Sequence, residues 1–357
     1  MTLDLIIPHY KEPWETCKYL FDSIALQRGI CFDNIRAIVV HDGDEPGINE
    51  SVDFGDYYPN ETQSKEFDFY DDRGIGGNYS CFEDYGYKIV QHHVKHGGVS
   101  AARNYGLDHS DADYVMFCDI DDGFLNNYGL HLIFSAMQEG ADYIFSNFVE
   151  EWYPDNNQMS ITRHEDDFTF MHGKVYRRKF LTENNIRFDP ALTIHEDGYF
   201  NAVALSVAKR EGKIKKIDTP IYLWRWNDNS TVRSNSTDFV LRTYEHVINA
   251  RIGVCRQLRD RGLDKDFRTA VCMTVMNSYY DHQKPSYHVP KNKEYLKRSE
   301  KAFKQFWNEF GRVFRNCTNA EVAEIASASR KNACEHGMLL ELQDLRSWLK
   351  HIGNEVK

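Results

Sequence analysis

Short apolar segments that alternate with helical segments constrain the fold of this chain more than any other feature. Segments this short and this apolar indicate strands that are buried on both faces. Strands separated by helices indicate an α/β fold with a mostly parallel sheet flanked by helices. The predicted strands are residues 3–8, 35–40, 87–91, 113–119 and 141–149, and the first predicted helices are 13–26, 98–107 and 127–139.

Polar clusters follow three of the predicted strands. The sequence Pro-His-Tyr-Lys-Glu occupies residues 8–12, His41 and Asp42 follow the second strand, and acidic residues occupy 119–122. The carboxyl ends of parallel strands meet at one edge of a sheet, and ligands bind at that edge. The strand order alone therefore predicts a binding site at this edge.

The pattern changes twice along the 357 residues. Residues 45–86 are rich in Asp, Gly, Tyr and Asn without a clear period, which indicates an insertion, and a loop of this length is often functional. We predict one domain at 1–235, which contains this insertion, and a helical C-terminal extension at 236–357. The helices predicted in the extension are 239–257, 267–282, 295–310 and 320–350.

Charge and composition disfavour several classes of protein. The net charge is −11 and the basic stretches are short, which argues against a nucleic-acid binder. The eight cysteines contain no CxxC pair, so neither a zinc site nor a disulfide framework is expected. The chain starts without a signal-peptide pattern, and no apolar run reaches the roughly 18–20 residues of a membrane span. We therefore expect a cytoplasmic protein.

The acidic segment 119–122 is a candidate cation site. If the segment is extended, the side chains of Asp119 and Asp121 point the same way. Their hard carboxylate oxygens suit Mn²⁺ or Mg²⁺. An acidic surface turn or a helix cap is the alternative interpretation.

Two further segments carry candidate chemistry. Asp197 stands at the start of a predicted helix at 196–209, where it is either a helix-capping acid or a general base for a hydroxyl group. Gly97 and Gly98 precede another helix and would leave backbone N–H groups for an anion, unless they form only a packing turn. Arg103, on the same helix, could pair with a phosphate or with the edge of a base.

The order and spacing of these segments resemble the family 2 glycosyltransferases of the GT-A fold, whose nucleotide-binding half is Rossmann-like. The resemblance covers residues 3–235, and its specificity comes from the order of the motifs rather than from any single one. The matching motifs are Pro8-His-Tyr-Lys-Glu12, His41-Asp-Gly-Asp44, Gly98-Val-Ser-Ala-Ala-Arg-Asn-Tyr-Gly106, Asp119-Ile-Asp-Asp122, Gly173-Lys-Val-Tyr-Arg177, Glu196-Asp197 and Tyr222-Leu-Trp-Arg225 followed by Ser230.

This resemblance implies an inverting transfer of a sugar from a nucleotide-diphosphate donor, with a UDP-sugar favoured, to an acceptor hydroxyl. Mn²⁺ or Mg²⁺ would be the cofactor, bound by Asp119 and Asp121, and Asp121 would be the more direct ligand. Asp197 would be the general base. The nucleotide-sugar site would include Pro8, Tyr10 and Glu12 around the nucleoside, Asp42 at the base, Arg103 at the nucleotide, and also Asp119, Glu196 and Arg225.

Departures from the family pattern leave the sugar and the base open. Lys11 and His96 stand where the family usually has Asn, and His41 and Asp44 replace an Asp and a Ser. The Gln-x-x-Arg-Trp motif of processive synthases is missing from the sequence, so we expect one transfer per visit.

Two alternative functions remain open. One is a catalytically inactive nucleotide-sugar-binding protein of the same fold, and the other is a transferase that acts on modified nucleic-acid bases. The acceptor could be a glycan, a lipid-linked molecule or another hydroxyl compound. The C-terminal helices could bind it, pair subunits into a homo-oligomer, or only cover the sheet.

Overall fold

The computed structural model describes residues 1–43, 68–70, 76–78, 86–153, 158–227, 230, 239–335 and 344–353. The chain divides into two compact units, Met1–Asn227 and Asp228–Lys357. Most of the predicted 45–86 insertion lies outside the described residues. The part that is described forms a short antiparallel pair of strands, β3 (Asp68–Tyr70) and β4 (Gly76–Asn78). The assignment of 1–235 as a catalytic domain and 236–357 as its extension stays a prediction.

A single mixed sheet forms the centre of the first unit. In the order of the sheet its strands are β5, β2, β1, β6, β10, β8, β11 and β7, and β9 pairs with the far end of β8. Their bounds are β1 Leu3–His9, β2 Ile35–Asp42, β5 Lys88–Val94, β6 Tyr114–Phe117, β7 Gly123–Phe124, β8 Tyr143–Trp152, β9 Ser160–His164, β10 Lys174–Arg177 and β11 Ile214–Trp224.

The first four strands in this order are parallel, as the sequence predicts. Beyond β6 the sheet is mixed, because β10 runs antiparallel to both of its neighbours while β8 and β11 run parallel to each other. The α/β fold class is confirmed. The antiparallel strands β7, β9 and β10 are too short or too polar to be predicted from hydrophobic periodicity.

Helices cover both faces of the parallel half, which explains its continuous apolar runs. Alternate residues of β1, such as Leu5 and Ile7, belong to a core cluster that includes Leu20 and Phe21 of one helix. Ile6 faces the other side, where a Cβ added at Gly106 would lie 2.4 Å from its Cγ2 atom. The helices of the first unit are α1 Trp14–Ala25, α2 Val99–Asp108, α3 Gly129–Gln138, α4 Arg178–Glu183 and α5 Glu196–Glu211.

The regular elements described in the second unit are all helices, as the sequence predicts. Its helices are α6 Phe239–Asp260, α7 Asp264–Asp281, α8 Lys293–Arg315, α9 Asn319–Glu335 and α10 Leu345–Gly353. The prediction of one helix over 320–350 is wrong, since α9 and α10 are separate helices. Asp344 is not helical and accepts a hydrogen bond from the Ser347 N–H at 3.0 Å, so it starts α10 as a capping acid.

Candidate active site

The acidic segment after β6 forms a turn at the carboxyl edge of the sheet. β6 ends at Phe117, and the Asp122 N–H donates to the Asp119 carbonyl at 3.2 Å. The expectation that 119–122 is extended is therefore wrong, and the alternation argument for Asp119 and Asp121 does not apply. The turn brings Asp119 and Asp122 together instead.

A cluster of Asp119, Asp122 and His172 is the main candidate for a cation site. One ligand atom from each residue lies within 4.8 Å of the other two. Asp122 is buried, and its Oδ2 atom, 3.5 Å from His172 Nδ1, has no hydrogen-bond partner among the described residues. Burial, with Asp121 and Asp119 adding, raises the pKa of Asp122 well above its usual range. A cation bound here would give Asp122 Oδ2 a partner and would offset the repulsion between the neighbouring carboxylates.

Sequence reasoning missed His172 and gave Asp122 no role. His172 packs among aromatic rings, with its ring 5.2 Å from Tyr222 and 4.9 Å from Trp224. It lies directly before the Gly173 to Arg177 motif, and Gly173 has a φ of 66°. The position of His172 directly before a motif glycine was the one clue in the sequence. Glycine permits a left-handed turn here, and such a turn can orient the side chain of the preceding residue.

Asp121 lies beside this cluster and is held by residues after β11. Its Oδ2 accepts a hydrogen bond from Asn227 at 2.9 Å, and its carbonyl accepts one from Arg225 Nη1 at 3.3 Å. The Arg225 N–H donates to Asp122 Oδ1 at 3.0 Å. The end of β11 therefore fixes the acidic turn. A direct metal contact by Asp121 stays a prediction.

Arg103 joins the acidic turn to the start of α5. Its guanidinium donates to Asp119 Oδ1 at 2.7 Å and to Glu196 Oε1 at 2.8 Å. Burial disfavours its charge, but Asp119 and Glu196 outweigh burial and raise its pKa, so it stays charged. Burial would likewise raise the pKa of Asp119, and Arg103 holds it below its usual range. A nucleotide contact by Arg103 stays a prediction, as does one by Glu196.

Asp197 lies at the first turn of α5, next to the Arg103 bridge. His195, the residue before the helix, has a φ of 64°, a conformation that costs free energy in a non-glycine residue and recurs at functional sites. Burial raises the pKa of Asp197 to about 7, Glu196 adds to this rise, and Arg103 opposes it. Its Oδ1 accepts a hydrogen bond from the Gly198 N–H at 2.6 Å. The residue as a whole is only partly buried.

Pro8 lies near the end of β1, and Tyr10 and Glu12 lie in the segment that follows this strand. Tyr10 is exposed and its ring stacks on His96 at 4.7 Å, which leaves an aromatic surface at the edge. Glu12 Oε2 accepts the Tyr10 N–H at 2.6 Å. Burial raises the pKa of Glu12 to about 7, and Asp121 and Asp119 add to the rise. The charges of the acidic turn therefore affect the pKa of Glu12. The nucleoside contacts of Pro8, Tyr10 and Glu12 stay predictions.

Asp42 at the end of β2 has a structural partner that the sequence did not reveal. Its two carboxylate oxygens accept the N–H groups of Gly97 at 2.7 Å and Gly98 at 2.8 Å. The expectation that these N–H groups are left for a ligand anion is therefore wrong, because Asp42 is the anion. Gly98 has a φ of 84°, which favours glycine there. The predicted contact of Asp42 with a base would have to use its remaining lone pairs.

A row of histidines crosses the carboxyl ends of three strands. His9 pairs in register with His41, which pairs with His93. The Nδ1 atoms of His9 and His41 are 2.8 Å apart, and the His41 ring stacks on His93 at 4.2 Å. Burial lowers the pKa of His9, lowers that of His93 to about 4, and lowers that of His41 well below its usual range. All three rings are therefore neutral at neutral pH.

Residues 75–206 match the sequence profile of glycosyl transferase family 2. The uncharacterized glycosyltransferase EpsJ of Bacillus subtilis is 27% identical over 170 residues, which cover 42% of this chain and 48% of EpsJ. The minor teichoic acid biosynthesis protein GgaB of the same organism is 26% identical over 215 residues, 56% of this chain and 21% of GgaB. The chain thus spans less than half the length of either relative.

The fold is similar to crystal structures of S. aureus TarS. The structure of TarS 1-349 in complex with UDP-GlcNAc has a TM-score of 0.58 at 15% identity, covering 94% of this chain and 93% of that one. A longer TarS structure has a TM-score of 0.57, and the alignment covers 93% of this chain and 54% of that one.

The sheet topology and the similarity to TarS together assign the first unit to the GT-A fold. Within this unit, residues 75–206 form the part that is similar to glycosyl transferase family 2. None of its described helices is both long and apolar enough to cross a membrane.

Proposed function

We propose that this protein transfers a sugar from a nucleotide-diphosphate donor to an acceptor hydroxyl, with inversion at the anomeric carbon. The observation that carries the proposal is the Arg103 bridge. It fixes Asp119 of the acidic cluster and Glu196, the neighbour of Asp197, on one guanidinium. The bridge therefore supports a candidate cation site and a candidate base that act together.

The donor would bind across the carboxyl ends of β1, β2 and β6. A UDP-sugar is the first choice, because TarS, which shares the fold, was solved with UDP-GlcNAc. The exposed Tyr10 ring offers a stacking surface for the base. Asp119, Asp122 and His172 would hold a divalent cation, with Asp121 beside them, and the mixture of carboxylate and imidazole favours Mn²⁺ over Mg²⁺. When bound, the cation would neutralise charge on the departing diphosphate.

The chain's own residues would supply the proton transfer. The acceptor oxygen forms a bond to the anomeric carbon while the bond from that carbon to the diphosphate oxygen breaks. The electron pair leaves with the nucleoside diphosphate, and the acceptor proton passes to the Asp197 carboxylate. A single displacement of this kind inverts the anomeric centre and needs one base. Lys174, which is buried near Asp167 with a pKa lowered to about 8 by that burial, stabilises the negative region around the base.

The test compares wild type, Asp197→Asn and Asp189→Asn with UDP-GlcNAc and other UDP-, GDP- and dTDP-sugars in the presence of Mn²⁺. Donor cleavage is followed by release of the nucleoside diphosphate, and donor binding by calorimetry. We expect cleavage by Asp197→Asn to fall about 10²–10⁴-fold with donor binding retained. Asp189 lies in the loop before α5 and outside the cluster, so Asp189→Asn controls for the local charge.

Unchanged cleavage by Asp197→Asn would remove the base assignment. A well-folded wild type that binds none of the donors would overturn the transfer reaction itself, and would favour an inactive protein of the same fold.

A further inference from the structure

A cavity in the second unit is lined by none of the residues that the proposed transfer uses. It has a volume of about 780 Å³ and is lined by the end of α8, the start of α9 and one face of α10. Volumes of roughly 300–1,000 Å³ are typical of small-molecule sites. The cavity is therefore large enough for a ligand rather than for a few waters.

The wall of the cavity is partly aromatic and apolar. Trp307 and Phe314 of α8 contribute rings whose centroids are 6.0 Å apart, and Leu349 of α10 faces the same space. Phe314 is buried and Trp307 is half-buried, so the rings are held in place by packing rather than by solvent exposure. Such a wall suits a ring or a short apolar body of a ligand.

Three cations complete the lining, namely Arg315, Arg346 and Lys350. None of the described residues that line the cavity is acidic, although the chain as a whole carries a net charge of −11. The three side chains are exposed and form no ion pair within the part of the chain that the structure describes. The Arg315 guanidinium lies 5.3 Å from the centroid of the Trp307 ring, which keeps it at the mouth of the aromatic wall.

The start of α9 adds a further positive contribution. Asn319, the first residue of this helix, lines the cavity, so the positive end of the helix dipole is at its rim. The nearby Glu321 is engaged elsewhere: it pairs with Arg268 at 3.0 Å and accepts the Thr318 N–H at 2.6 Å. Its charge is thus largely compensated by these partners.

We propose that this cavity binds a small organic phosphate, with the phosphate among Arg315, Arg346 and Lys350 and a ring or short apolar body against Trp307 and Phe314. Three cations in one cavity lining match a dianion better than a single carboxylate, and guanidinium groups bind phosphate in a bidentate manner. The concave shape fits a discrete molecule better than a flat membrane surface. The site does not depend on the transfer reaction.

The experiment uses the full chain labelled with 5-fluorotryptophan and follows the ¹⁹F resonance of Trp307, assigned with Trp307→Phe. The probe is 1-naphthyl phosphate, and neutral 1-naphthol is the matched ligand without the phosphate. We expect a saturable shift of this resonance with the phosphate, weakened by added salt, and a much weaker effect of 1-naphthol.

A triple variant with Arg315→Gln, Arg346→Gln and Lys350→Gln tests the cations. Its control carries Lys297→Gln, Lys301→Gln and Arg312→Gln, which remove the same charge from α8 outside the cavity lining. We expect the cavity variant to bind 1-naphthyl phosphate about tenfold or more weakly, and the control to bind it as wild type does.

Equal binding by the two triple variants would overturn the proposal, and so would the same affinity for 1-naphthol and its phosphate. A further experiment with phosphatidylcholine vesicles that contain phosphatidic acid tests whether the cavity binds a membrane instead of a soluble phosphate. Sedimentation with these vesicles, lost in the cavity variant but without any response to the soluble phosphate, would replace the small-molecule site by a membrane-binding surface.

Discussion

At the scale of single residues, burial and the helix N-terminus have opposite effects on the pKa of Asp197. The positive end of α5 and the nearby Arg103 both favour the carboxylate. Burial and the adjacent Glu196 outweigh them and bring the pKa to about 7. A base whose pKa lies near the working pH combines a populated carboxylate with a sufficient driving force for proton transfer.

This raised pKa predicts the pH dependence of the proposed reaction. Only the carboxylate can accept a proton, and it is the minority form below pH 7. We therefore expect kcat/KM for donor cleavage to rise with pH and to level off above about pH 7. The measurement is a pH profile at constant ionic strength. A profile that is flat from pH 5 to pH 9 would contradict the assignment.

The same shift predicts an effect on stability. The folded state binds the Asp197 proton more tightly than the unfolded state does. The contribution of Asp197 to the free energy of unfolding therefore falls as pH rises from about 4 to 7. Asp197→Asn should then raise Tm relative to wild type at pH 8, with the difference shrinking towards pH 4. This readout does not require the substrate.

Lys11 offers a third prediction at this scale. Its φ is 65°, a left-handed conformation that is unfavourable for lysine and more accessible to asparagine. We expect Lys11→Asn to raise the free energy of unfolding by about 0.5–1 kcal/mol, measured by urea denaturation. Lys95→Asn, in an exposed loop without positive φ, is the control and should give no gain. A loss of stability in Lys11→Asn would show that the lysine makes contacts worth more than the strain.

At the scale of secondary-structure elements, Arg103 connects α2, the turn after β6 and the start of α5. Its side chain is 4% exposed and those of Asp119 and Glu196 are 35% and 12% exposed, so the Glu196 half of the bridge is the more shielded. Removing one partner of a buried pair leaves uncompensated charge, which costs more than the pair contributes.

Arg103→Met should therefore lower the free energy of unfolding by about 3 kcal/mol or more. The matched control is Arg187→Met, whose pairing with Asp108 is half-exposed and should contribute below about 1 kcal/mol. Chemical denaturation of both variants gives the comparison. If the two variants lose the same stability, the bridge does not hold these elements together.

The histidine row predicts how the parallel strands respond to acid. Its rings are neutral when folded because burial lowers their pKa, whereas the unfolded rings titrate near 6.5. The unfolded state thus binds more protons, and stability should fall as pH drops from about 6.5 towards 4. We expect His93→Phe, which keeps a ring against His41, to lose less stability over this range than wild type. His131→Phe, at an exposed position, is the control for loss of a histidine outside the row, and thermal unfolding across this pH range gives the comparison.

At the scale of the whole molecule, the fold class and the carboxyl edge of the sheet could be predicted from the sequence. Strands that are buried on both faces appear in the sequence as continuous apolar runs, which makes them recognisable. Strands such as Lys174–Arg177 escaped prediction since tertiary pairing, not periodicity, makes them strands. The site was predicted in part. Side chains at strand ends were visible as motifs, whereas His172 and the pairing of Asp42 with Gly97 and Gly98 depend on contacts between distant segments.

The most direct test of the account is calorimetric titration of a panel of UDP-, GDP- and dTDP-sugars, with Mn²⁺ and with EDTA, into wild type and Asp122→Asn. Asp111→Asn is the control, because its carboxylate is 86% exposed and lies at the opposite end of the strand. We expect one nucleotide sugar to bind with Mn²⁺, to bind more weakly in EDTA, and to lose this dependence in Asp122→Asn but not in Asp111→Asn. Binding that is the same with Mn²⁺ and EDTA would contradict the cation site, and no binding of any donor to folded protein would contradict the central claim.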